Sequence, residues 1–279
     1  MSGHVPRSRV VWKQRHLGKR LLTAAVVGWF VFMILVPLFG IVREVFRNGL
    51  PLFFTSLNTP GAKHAFLLTL WITLGSVVLN TMFGVALAIV LVKHSFRGKL
   101  ILEGLVDLPF AVSPVVAGFM FILLFGPKGW IGSWFEAQDI KIVYALPGML
   151  IATLFVCLPF VAREVTPVLK EFGLAQEEAA HVLGATPWQT FWRVTLPSIK
   201  WGLVYGITLT VARAIGEFGA VLVVSGSIIN KTQTATLHIH QEFIDFNYAS
   251  AYAASIVLAL ASFLILTTMQ FVYRRKGAK

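Results

Sequence analysis

The sequence predicts an all-α integral membrane protein with about six transmembrane helices and one substantial cytoplasmic loop. Three observations predict it. The 279 residues are 57% hydrophobic and only 13% charged, with a mean hydropathy of +0.77. A soluble domain carries about 25% charged residues, so too few charges remain here to coat a water-facing surface. Six apolar runs each approach or exceed the roughly 20 residues that cross a bilayer. Lysine and arginine are unevenly divided between alternate loops.

The runs are Leu21–Phe39, Ala65–Val92, Leu105–Phe125, Ile142–Val161, Trp201–Val224 and Ala251–Phe271. The first is too long for the 7–15-residue apolar core of a cleaved signal, and no clear A-x-A site follows. It is expected as a retained helix with Pro37 near its outer end. Of the 24 lysines and arginines, 17 fall before the first run, after the second, between the fourth and fifth, and after the sixth. Six occupy the other loops, and Arg213 lies inside a run. The positive-inside rule therefore predicts that both termini and residues 163–200 are cytoplasmic. The same topogenic pattern accounts for the net charge of +12 and argues against nucleic-acid binding. Basic residues before the first run can also attract anionic lipid headgroups. The single cysteine, Cys157, sits in an apolar run and cannot form an internal disulfide.

The third run is irregular. Asp107, Pro109, Ser113 and Pro114 interrupt it, and each proline removes a backbone donor. A kink at depth is tolerated only against protein or water. Two readings fit: a packed kink, or a break lining a pathway.

The loop from Arg163 to Lys200 carries its own folding instructions. Gln176–Leu183 is a good helix former with a small patch at Ala179 and Ala180. Gly184 suits a C′ position, where a positive φ costs other residues energy. Thr186-Pro187-Trp188-Gln189 restarts a helix: Thr186 as N-cap, Pro187 at N1, Gln189 completing a capping box. The result is a compact knuckle of two short helices. Its alanines would let a partner approach closely, and Glu177 and Glu178 could pair with partner cations.

Arg213 and Glu217 are ionisable residues inside the fifth run, spaced to meet on one helix face. At the bilayer centre each would cost roughly 2.5–3.5 kcal/mol, so they should face protein or water. They serve either an anion path or gate, or an ion pair that fixes helix packing. Gly202, Gly206, Gly216 and Gly219 on the same run favour close helix contacts. His238 and His240 lack a convergent third ligand, so no metal site is expected. No nucleophile set is readable, and no G-x-x-x-x-G-K-[ST] phosphate cradle occurs. The Gly-Lys pairs at 18–19 and 98–99 continue with Arg20 and Leu100.

Glu178-Ala179-Ala180, Gly184, Val194 and Leu196-Pro197 have the spacing of the EAA loop of ATP-binding-cassette (ABC) importer permeases, with Val194 where that family usually has Ile. Asp107–Gly118, Cys157–Glu164, Ala212–Ala220 and Val224–Ser227 resemble segments of sulfate/thiosulfate ABC permeases. The Ser-Pro-Val-Val form after Phe110 looks like the W-type subunit rather than its T-type sister. The similarity covers about residues 20–272.

It implies a type I ABC importer transmembrane domain at 21–272, with a coupling loop at about 170–197. A basic cytoplasmic arm at 1–20 and a basic tail at 273–279 flank it. The implied partners are a T-type homologous permease, a cytoplasmic ABC ATPase dimer and an extracytoplasmic sulfate-binding protein. The implied cargo is sulfate or thiosulfate. ATP and Mg2+ would reside on the ATPase, with no cofactor in this chain, which is then not an enzyme. The location implied is the inner membrane of a bacterium. A molybdate or related oxyanion permease is the alternative within the class, since it shares an Arg…Gly-Glu-Phe-Gly segment. A membrane-embedded enzyme using Arg213, Glu217 and Asp107 is the alternative outside it.

Overall fold

The computed structural model describes residues 11–47 and 49–277. Residues 1–10 of the expected basic arm and the last two of the tail lie outside the described residues. Helices are α1 (Val11–Arg47), α2 (Leu50–Leu57), α3 (Pro60–Lys93), α4 (Lys99–Ala111), α5 (Pro114–Phe125), α6 (Gly132–Glu136) and α7 (Leu146–Phe172). They continue as α8 (Ala175–Val182), α9 (Pro187–Thr190), α10 (Leu196–Ile215), α11 (Gly219–Ser225), α12 (Ala235–Ile244) and α13 (Tyr248–Gly277). Phe191–Thr195, between α9 and α10, is a π-helical turn. No strand occurs among the described residues.

Among the described residues, five helical stretches are long and apolar enough to cross a membrane: 18–47, 60–93, 146–172, 187–215 and 248–271. The third expected run is different. Its halves, α4 and α5, meet at Val112-Ser113 with a bend of 114°. At 1.5 Å per residue they are about 20 and 18 Å long, and neither alone spans the hydrocarbon core of about 30 Å. Of the two expected readings, the backbone follows the break rather than a continuous kinked helix. Its cause is local: Pro114 disfavours helical geometry at Ser113, and Val112 is extended with ψ 130°.

The fifth run is also not one helix. α10 ends at Ile215, Gly216 and Glu217 lie outside regular helix, and α11 begins at Gly219. The helix of the fourth run, α7, continues past the expected end at Val161 to Phe172. Hydropathy falls at Arg163-Glu164, but Val165 and Leu169 remain buried on the inward face, so packing carries the helix onward.

The core is built around α7, which lies between α3 and α10. Gly84 of α3 and Gly206 of α10 both abut Val161. A Cβ on Gly84 would lie 2.7 Å from Val161 Cβ, and one on Gly206 would lie 2.9 Å from Val161 Cα. Small residues permit this approach, and membrane helices rely on it because lipid supplies no hydrophobic drive between them. Gly202 likewise meets Glu164 O, and Gly219 meets Pro114 and Val115. Gly216 does not serve close packing: its only near neighbour is Ala212 O at 3.7 Å. Val85, Ala88, Val161, Val165, Leu169 and Ile199 form a buried cluster. Leu196 and Phe191 pack against it, so the knuckle is rooted in the core. The apolar residues of α1 from Leu21 to Phe39 are exposed, as at Trp29 and Phe30, whereas Val45 near its end is buried.

Candidate functional site

The knuckle forms as its local chemistry dictates. α8 ends at Val182, and Gly184 has φ +86°. Gly184 N donates to His181 O (2.9 Å) and Ala185 N to Ala180 O (3.0 Å). That pair of bonds is a Schellman closure, which satisfies carbonyls otherwise orphaned at a helix end. Thr186 N then donates to Gln189 Oε1 (2.9 Å), and Gln189 N donates to Thr186 Oγ1 (3.3 Å). This is the reciprocal capping box, with Pro187 at N1.

The exposed surface of the knuckle is more apolar than the spacing alone suggested. Val182 and Leu183 at the end of α8 are each 87% exposed, and Trp188 and Trp192, with rings 5.5 Å apart, are exposed on α9 and the turn after it. Contiguous exposed apolar surface marks interaction sites. Ala179 and Glu178 are exposed on the same short helix, and Ala180 is half-buried. Val194 and Leu196 are half-buried at the base, and Pro197 is exposed. The one sequence signal for this surface was the Val182-Leu183 pair ahead of a helix-ending glycine.

Glu177 departs from expectation. It does not face a partner: it is 7% exposed and turned inward. Its Oε2 receives Lys93 Nζ at 2.5 Å, and its Oε1 accepts from Thr195 Oγ1 at 2.6 Å. The carboxylate thus joins α8 to the end of α3 and to the π-helical turn. Sequence reasoning missed this because Lys93 lies 84 positions away.

The second feature is the break in the fifth run. Arg213 Nη1 lies 2.6 Å from Glu217 Oε2. The two do meet, but across the helix end rather than along one helix face, which corrects the helical reading of the spacing. The guanidinium N–H groups are not aimed at Oε2, which has ionic compensation without a directed hydrogen bond. Glu217 Oε1 accepts from Ala220 N at 2.9 Å, satisfying one free N–H at the start of α11. The Glu217 side chain is 1% exposed and that of Arg213 32%. Cys157, buried on α7, contacts Thr210 O.

A third pair was also not foreseen. Arg163 of α7 grips Asp107 of α4 with two contacts, Nη2–Oδ2 at 2.6 Å and Nε–Oδ1 at 2.7 Å. The guanidinium also lies over the Phe110 ring. Pro109 is buried beside this clasp, while Ser113 is exposed at the break. Asp107 is therefore bound to a cation one helix away from Arg213 and Glu217, which weakens any reading that unites all three in one catalytic centre. His238 and His240 lie on α12, where His238 Nδ1 faces Glu242 at 3.8 Å.

A helical membrane domain with broken spans and a rooted knuckle between its fourth and fifth spans defines a transporter permease. Residues 80–277 match the family described as binding-protein-dependent transport system inner membrane component, and the chain belongs to that family. It is 48% identical over 259 residues to the sulfate transport system permease protein CysW of Synechocystis sp., covering 93% of this chain and 94% of that relative. It is 35% identical to the sulfate transport system permease protein CysT of Escherichia coli, covering 94% and 93%. Its fold is similar to a chain in the crystal structure of a bacterial ABC transporter that imports alginate, with TM-score 0.78, 19% identity, and 95% and 99% coverage. The fold is thus that of a type I ABC importer transmembrane domain.

Proposed function

We propose that this chain is the W-type permease subunit of an ABC importer that moves sulfate or thiosulfate across the cytoplasmic membrane. The observation that carries the cargo assignment is near-half identity, over almost the full length of both chains, to a sulfate permease. The chain pairs with a T-type homologous permease. Two copies of a cytoplasmic ATPase, which hold the ATP and Mg2+, bind below. An extracytoplasmic binding protein delivers the anion above. Both termini and the 170–197 loop face the cytoplasm, as the lysine and arginine distribution requires.

The mechanism follows from the knuckle. Its exposed apolar surface around Val182, Leu183, Trp188 and Trp192 fits a groove on the ATPase, with Glu178, Ala179 and Ala180 at the contact. Gly184 and the capping box hold that surface in one shape. Closure of the ATPase dimer moves α8, and the rigid base at Val194, Leu196 and Pro197 passes the motion into α10. Helix breaks at 112–113 and 216–218 give the spans places to bend without unravelling. Arg213 neutralises Glu217 near the path, so the anion meets no uncompensated negative charge.

The test is reconstitution of the complete complex in proteoliposomes with binding protein. ATP-dependent accumulation of sulfate or thiosulfate, exceeding that of molybdate, is the expected result. Accumulation of molybdate alone, or none without loss of assembly, would refute the cargo assignment.

A further inference from the structure

We infer that Glu177 is a positioning residue for energy coupling: a carboxylate clasp that binds α8 to the end of α3 and the root of α10, so that both long helices move with it. The inference rests on the reading of the knuckle as the ATPase contact. Glu177 occupies the first turn of α8, where an acidic side chain can remain in water and still favour the helix N-terminus. Both neighbours in that turn, Gln176 and Glu178, are exposed. Glu177 instead gives up its hydration, at a cost that only paired and hydrogen-bonded partners offset.

Both oxygens are used. Lys93, the last residue of the 34-residue α3, supplies the cation, with its side chain 22% exposed. Thr195, 1% exposed, supplies the hydroxyl. It is the last residue of the π-helical turn that opens into α10. Turns of this kind, which hold one residue more than an α-turn, are frequent at functional sites. Apart from the clasp, α8 packs chiefly on α9 and that turn. The Lys93–Glu177 contact is therefore its direct tie to α3. Without the clasp, motion of α8 would reach α3 only through α10 and α7, which pack against it; the clasp links α8 to α3 directly.

The experiment uses the full complex in proteoliposomes with Lys93→Ala, Lys93→Arg and Glu177→Ala. Three quantities are read: a cross-link from a cysteine at position 178 to the ATPase, co-purification of the ATPase, and sulfate transported per ATP hydrolysed. Lys93→Ala and Glu177→Ala should cross-link and co-purify normally while transport per ATP falls at least about fivefold, the lower end of ordinary site-to-site coupling. Lys93→Arg, which keeps a cation there, should retain most of it. An unchanged transport ratio in a cross-linked complex overturns the clasp alone. A ratio that falls only in step with lost co-purification assigns Glu177 to assembly and also overturns it. Absence of the cross-link in the otherwise wild-type complex overturns the coupling reading, and the clasp with it.

Discussion

Removing Arg213 should damage the protein more than removing Arg213 and Glu217 together. Glu217 is the less exposed partner, its side chain 1% accessible. Arg213→Ala leaves that carboxylate without its cation, and losing one member of a buried pair costs about 3–5 kcal/mol. The lower end of that range, about 3 kcal/mol, is the conservative figure for the comparison. The double change Arg213→Ala with Glu217→Ala abolishes the buried charge. What remains is the lost bond from Ala220 N to Glu217, a cap-type loss of about 0.5–2 kcal/mol. The double variant should therefore be the more stable of the two by about 1–2.5 kcal/mol. Unfolding of the purified complex in detergent, followed by heat or denaturant, measures the order. A single variant as stable as the wild type, or a double variant worse than the single, would refute the argument. Uptake separates the two roles left open for the pair. Full recovery in the double variant leaves Arg213 a packing role only; restored assembly with low uptake means that Arg213 serves the anion.

Three further outcomes follow from the geometry. Gly184→Val has no steric neighbour within 4 Å but must hold φ +86°; it should lose about 1–2 kcal/mol at the turn and weaken ATPase co-purification while membrane insertion is normal. Gly84→Leu drives a side chain into Val161 and should cost about 1–3 kcal/mol, with Val161→Ala in the same chain recovering part of it in thermal melts. Burial holds the His238 imidazole below its ordinary range, partly opposed by the Glu242 carboxylate. The folded state therefore favours neutral His238, so its contribution is full above the unfolded value of about 6.5 and declines as pH falls below it. Melts from pH 7.5 to 5.5 should show a shallower decline in His238→Leu than in the wild type.

The legibility of the chain followed the range of its interactions. The Gly184 turn and the Thr186–Gln189 capping box were readable because every participant lies within a few residues. The apolar runs were readable because lipid selects for composition over whole spans. The breaks at Val112-Ser113 and Gly216-Glu217 were only partly readable. Hydropathy averages across a window and does not register backbone direction; Pro114 marks the first break, whereas Gly216 reads as a packing glycine and gives no sign of the second. The inward turn of Glu177 and the Asp107–Arg163 clasp were not readable. Their partners are 84 and 56 positions distant, and only tertiary packing brings them together. The extension of α7 beyond Val161 was missed for a related reason: Arg163 and Glu164 signal the end of an apolar run, not the end of a helix.

In the proposed mechanism the 175–195 knuckle is the cytoplasmic entry point for work done by the ATPase. It is tested most directly by a single cysteine placed at position 178 or, in a second variant, at 231, in membranes carrying the assembled complex. Cys157 is buried and does not compete. Cross-linking to the ATPase is expected from position 178, changed by ATP, with labelling by an impermeant thiol reagent from outside only at position 231. External labelling at 178, or an ATPase cross-link from 231 in place of 178, would contradict it.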